Sequence, residues 1–148
     1  MFILVYFFTK WHKAARTPKS TFEQEYSRYL TRLGEKNFFC YNNSRSQLYI
    51  EENILPLLHE QVEIIVLNGK RHQSDYPETI TSALLYRVKD FESFPHLIKL
   101  REGNPKEKSL NNLTYNCLNQ QKAPDVIIDV INEFFGLPLS NSQSATSS

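Results

Sequence analysis

The sequence predicts an α/β fold: a single small three-layer sandwich around a mixed four-stranded sheet, in the order β-α-β-α-β-β-α, preceded by an N-terminal helix. Three observations carry this. The runs Phe38-Phe39-Cys40-Tyr41 and Val62-Glu63-Ile64-Ile65-Val66-Leu67 are almost continuously apolar, as strands are when helices cover both faces of their sheet. Between them, apolar residues at 48, 50, 54, 55, 57 and 58 follow a helical spacing, which makes a strand, helix, strand unit with parallel strands and a right-handed crossover. The chain has 148 residues, 41% of them hydrophobic, with only two cysteines. A chain of that size buries roughly two thirds of its unfolded surface and closes one core without a disulfide or a metal.

Taken in order, residues 20–35 form the preceding helix. Pro18 closes the segment before it, Ser20 or Thr21 caps it, and Phe22, Tyr26, Tyr29, Leu30 and Leu33 make one apolar stripe that ends at Gly34. The α/β domain spans 36–138. Its first strand is followed by a turn-and-cap cluster, 42–46, and then by the helix in which Pro56 marks the last turn. After the second strand, Asn68-Gly69 and a polar loop over 70–76 lead to Pro77, a favourable first helical residue, and to a helix through Ile80, Ala83, Leu84 and Val88. A third strand covers 96–100, a turn 101–104, and an antiparallel edge strand 106–111, whose charges suit an exposed edge. Helices over 112–119 and from Pro124-Asp125 to Phe135 complete the domain, with Asp125 as a helix-start acid. Residues 139–148 are dominated by Ser, Asn, Gln, Thr and Ala, too polar to bury, and are expected to be a disordered tail.

The net charge of +1 is unevenly shared. Residues 1–19 carry Lys10, Lys13, Arg16 and Lys19 without an acid, so the leader holds +4 and the other 129 residues −3. A mildly acidic body does not offer the clustered basic face that grips phosphates, so no nucleic-acid partner is expected. In the leader, eight apolar residues ending in Phe7 and Phe8 precede Lys10, Trp11, Lys13 and Arg16. This order reverses that of a signal peptide. It matches the cytoplasmic end of a membrane segment, where an interfacial aromatic precedes positive charge. As a helix, the run reaches only about 12 Å against a ~30 Å hydrocarbon core. It is therefore either a peripheral anchor or the end of a single-pass span that starts before Met1; a first strand of the core is the other reading. The expected location is the cytoplasmic face of a membrane, with a soluble cytoplasmic protein as the alternative.

The element order, with a proline in Phe94-Pro95 immediately before the third strand and a tight turn leading to the fourth, resembles the thioredoxin-like superfamily over residues 36–136. The resemblance implies a cis proline at Pro95 beside the active site. Redox members carry a CxxC where the first helix begins, because the helix terminus lowers a thiol pKa. Here Asn42, Asn43, Ser44 and Arg45 stand in that place, so no dithiol chemistry follows.

Cys40 and Arg45 also give a C-x4-R-S spacing that resembles the anion-cradling loop of rhodanese-type sulfurtransferases, though without a glycine that lets successive amides converge. Cys40 is thus a candidate nucleophile set against a plain strand cysteine. Ser44, Arg45 and Ser46 are candidate ligands for a phosphate or similar anion, set against a capping serine and a solvated arginine, with Lys70-Arg71-His72 on the same sheet edge. His96, next to Pro95, is the histidine to test. The four histidines make no ligand spacing, and neither a metal nor any other cofactor is expected. Tyr41, Tyr49, Tyr76, Tyr86 and Tyr115 are candidates for a face that binds a protein partner. The balance favours a membrane-tethered, non-catalytic binding or adaptor module. A small enzyme or anion binder built on the loop 42–46 is the alternative.

Overall fold

Adjacent residues of a strand point to opposite sides of a sheet, and in β1 (Lys36–Asn42) both sides are dry: Phe38 and Cys40 enter one core cluster, Phe39 and Tyr41 the other. A computed structural model of the chain describes residues 18–68, 71–73, 82–85 and 94–139. Within these, β1 lies at the centre of a sheet with β2 (Val62–Asn68), β3 (Arg71–Gln73), β4 (His96–Arg101) and β5 (Asn104–Ser109), in the order β3-β2-β1-β4-β5. β1 and β2 are parallel, and β4 runs antiparallel to β1, β5 to β4 and β3 to β2.

The layer on one face is helix α1 (Pro18–Leu33), with helical backbone at 82–85. Tyr26 and Leu30 of α1 and Leu84 and Leu85 close over Phe38, Cys40, Ile65, Ile98 and Leu100. The other face carries α2 (47–57), α3 (Asn111–Gln120) and α4 (Asp125–Phe135). Ile50 and Ile54 of α2, Cys117 of α3 and Ile127, Ile128, Ile131 and Phe135 of α4 meet Phe39, Tyr41, Val62 and Leu97 there. The expected three-layer α/β sandwich with a mixed sheet is thus what the chain forms.

Several boundaries differ from expectation. The sheet has a fifth strand: Arg71–Gln73, within the expected loop 70–76, pairs with Val66, Leu67 and Asn68. α1 already runs from Pro18, so Ser20 and Thr21 lie inside the helix and do not cap it. The edge strand begins at Asn104, not Lys106, because Glu102 and Gly103 alone make the turn between β4 and β5, both at positive φ (50° and 75°). That backbone suits a two-residue hairpin. Gly103 is required twice over, since a Cβ there would stand 2.6 Å from Thr31 Oγ1 on α1. α2 is not uniform: one α-turn passes into a π-helical stretch, Ile50–Ile54, and then a 3-10 turn, Leu55–Leu57, that holds Pro56. Of the helix expected from Pro77 to Val88, residues 82–85 are helical and the rest lie outside the described residues, as do the leader through residue 17 and the tail from 140.

α4 is anchored at its end. Gly136 (φ 73°) turns the chain so that the Leu137 and Gly136 amides return to Asn132 and Glu133, a closure that satisfies carbonyls a helix end otherwise leaves bare. Lys99 Nζ donates to the Phe134 carbonyl at 3.1 Å and Arg101 to that of Phe135 at 3.2 Å, placing positive charge at the negative end of the helix dipole.

Candidate functional site

The loop 42–46 leaves the C-terminal end of β1 and feeds α2, whose first residues pack on the face of the sheet that Tyr41 occupies. The Asn43 amide donates to the Leu67 carbonyl of neighbouring β2 at 3.2 Å, and its carboxamide lies 3.4 Å from Asn68 Oδ1. Ser46 is fully buried at the N-cap position, yet its hydroxyl makes no cap bond and instead pairs with Ser44 Oγ at 3.0 Å. Arg45 is exposed and reaches Asn119 Oδ1 on α3 at 3.4 Å. On α2, the exposed Glu51 accepts through Oε1 from Tyr41 Oη (3.1 Å) and from Gln47 Nε2 (3.0 Å). Burial, then the bond to Glu51 and its charge, push the Tyr41 hydroxyl up to about 12, so it stays a neutral donor. Burial also raises the Tyr49 hydroxyl, with a smaller contribution from Cys117.

Cys40 and His96 are direct partners in the register of β1 and β4. Both side chains belong to the opposite face, under α1: Cys40 is wholly buried in that cluster, and the His96 ring packs edge-on against Phe94 at 5.7 Å. The Phe94-Pro95 bond before them is cis, and the Pro95 carbonyl accepts from the Leu110 amide at the start of α3. The sheet therefore stands between the pair Cys40–His96 and the group Ser44, Arg45 and Ser46. One anion cannot be held by Arg45 and attacked by Cys40, as the sulfurtransferase-like spacing had allowed. Burial alone raises the Cys40 thiol far above its ordinary value, which removes the thiolate that a nucleophile needs.

The thiols give a direct check. Cys40 and Cys117 are both free and buried. In the native protein at mildly alkaline pH, an aromatic disulfide reagent is expected to titrate neither of them within minutes, and both after denaturation. Rapid native labelling of Cys40 would restore it as a reactive group.

Of the tyrosines expected on a partner face, Tyr41 is buried, Tyr49 and Tyr115 are half-buried, and Tyr76 and Tyr86 lie outside the described residues. So do Phe7, Phe8, Lys10, Trp11, Lys13, Arg16 and Lys70. Arg71 and His72 lie on β3, beside the Asn68 end of β2. Among the described residues no three His, Cys, Asp or Glu side chains converge as metal ligands, and no helix is long and apolar enough to cross a membrane.

Sequence reasoning passed over the polar cleft at the opposite end of β1, about 560 Å³, lined by Glu35, Lys36, Asn37, Gln61, Glu63 and Arg101 among others. Its groups answer one another. Lys36 pairs with Glu63 at 2.8 Å, and Arg101 donates to the Lys36 carbonyl (3.1 Å) and Asn37 Oδ1 (2.8 Å). With Lys36 paired to Glu63, and Arg101 to Asn37 and the Phe135 carbonyl, these groups serve to tie the strands to α4. No family model matches the chain, and neither a curated protein nor a solved structure matches it.

Proposed function

We propose that this chain is a non-catalytic α/β binding module of thioredoxin-like arrangement, held at the cytoplasmic face of a membrane by its leader, residues 1–19. The observation that carries the non-catalytic part is the separation just described. The place after β1 where redox members of that superfamily carry thiols holds Asn43, Ser44, Arg45 and Ser46, while both thiols of the chain are sealed in the core. The arrangement is supported by a parallel pair, β1 and β2, flanked by antiparallel β4 and β5, by helices on both faces, and by Pro95 immediately before β4.

The tether rests on the apolar run followed by Lys10, Trp11, Lys13 and Arg16. Each basic residue close to an anionic surface contributes about 1 kcal/mol. The full chain is expected to sediment with phosphatidylserine-containing vesicles and to bind neutral vesicles less. Replacing Lys10, Lys13 and Arg16 together by Gln is expected to weaken the anionic binding roughly a hundredfold. A full chain that stays in the supernatant with anionic vesicles sinks the tether.

A further inference from the structure

We infer that the groove between α2 and α4 binds an extended peptide segment that presents a basic side chain beside an apolar one. The inference deepens the reading of a binding module by naming what the module takes, and it does not depend on the membrane tether.

The groove holds about 560 Å³, within the range of clefts that take ligands. One wall is the end of α2 and the chain after it, with Leu57 and Leu58; the other is the face of α4 that carries Asp125, Ile128 and Asn132. Leu57 is 48% exposed, an apolar side chain left half in water at the rim.

Asn132 is the group that the fold does not explain. It sits in α4 next to the core residues Ile127, Ile128, Ile131 and Phe135 and is only 5% exposed. Its Oδ1 is buried without a hydrogen-bond partner. A buried carbonyl that has given up water and gained nothing is costly, and a leucine at the same point of the stripe would avoid the cost. A carboxamide sets an acceptor and two donors side by side, the complement of a peptide group, and an extended backbone, unlike a helix, leaves its peptide groups free to meet it.

Charge selects among peptides. Glu60 and Asp125 border the groove, both exposed, and among the described residues neither is in an ion pair. They favour Lys or Arg and oppose phosphates and acidic segments. His59 Nδ1 accepts the Gln61 amide at 3.1 Å, so the ring carries its proton on Nε2 and adds a donor to the same wall.

The test uses the full chain, isotope-labelled for amide shifts, titrated with a short acetylated peptide that alternates leucine and lysine and with its leucine–glutamate analogue. The lysine peptide is expected to shift residues 57–60 and 125–132 and the glutamate analogue to shift them far less. Glu60→Lys with Asp125→Lys is expected to lower affinity for the lysine peptide by about tenfold or more. Asn132→Leu is expected to leave the melting temperature unchanged or raised while weakening the peptide. If Asn132→Leu instead lowers the melting temperature, Asn132 serves the core and the inference falls. It falls equally if the lysine peptide causes no shifts, or if the two peptides bind alike. Shifts confined to another face overturn the groove but leave a binding module standing.

Discussion

Phe38→Ala and Phe39→Ala are each expected to destabilise the protein by about 3–5 kcal/mol in urea titrations, the range for removing a buried phenylalanine. The force of this prediction lies in the two residues being neighbours. Phe38 is 1% exposed and Phe39 fully buried, yet their side chains leave β1 in opposite directions, one toward α1 and the other toward α4. In a two-layer fold one of the pair would face water, and its loss would cost under about 1 kcal/mol. Equal, large effects therefore measure the third layer. Because the two side chains lie in separate clusters, their costs should add, and the sum, about 6–10 kcal/mol, is comparable to the whole stability of a typical domain. The double variant is expected to be unfolded at room temperature. Ile64 on β2, 39% exposed, is the contrast: its truncation should cost much less, because much of the side chain is already in water. A small effect at either phenylalanine would sink the three-layer arrangement.

The layers were legible because burial on both faces leaves a mark in composition: Phe38-Phe39-Cys40-Tyr41 has no polar position to spare, and α4 repeats apolar residues at helical spacing. β3 was not legible. Arg71-His72-Gln73 has neither alternation nor a β-branched residue, and it is a strand only through its antiparallel pairing with Val66, Leu67 and Asn68 of β2. The start of β5 is set by the turn and not by its own composition. Pro105 and Lys106 fit an edge, but the pairing begins as soon as Glu102 and Gly103 have turned the chain.

For the site, period-two alternation places Cys40 and Tyr41 on opposite faces, but only the tertiary structure says which face α2 covers. That choice detaches Arg45 from Cys40 and His96. Asn132 was invisible for another reason. An asparagine beside an apolar stripe reads as its solvent edge, and burial there comes from α2 closing alongside.

Arg101→Met is expected to cost about 2–4 kcal/mol, the scale of losing charge-assisted hydrogen bonds that leave buried acceptors unmet. The guanidinium donates to the carbonyl of the preceding Leu100 at 2.7 Å, to the Lys36 carbonyl and Asn37 Oδ1 on β1, and to the Phe135 carbonyl at the end of α4. Asn37 is 6% exposed and donates its other end to the Gln61 carbonyl at 3.3 Å, so it cannot turn away without losing that bond. A methionine keeps much of the packing of the arginine stem while removing every donor, which separates hydrogen bonding from burial. Arg101→Lys should recover only part of the loss, since one ammonium cannot span acceptors on two strands and a helix end as a planar fork does. The contact from Arg101 Nε to Glu35, 3.9 Å long and to a carboxylate 78% exposed, contributes little, and Glu35→Ala should stay within about 0.5 kcal/mol. Hydrogen exchange locates the damage. The Gly136 and Leu137 amides, which close α4, should lose protection in Arg101→Met before the amides of β1 do, because the arginine's reach to Phe135 holds that helix end to the sheet. If protection falls equally everywhere, Arg101 supports the domain as a whole and has no special hold on α4.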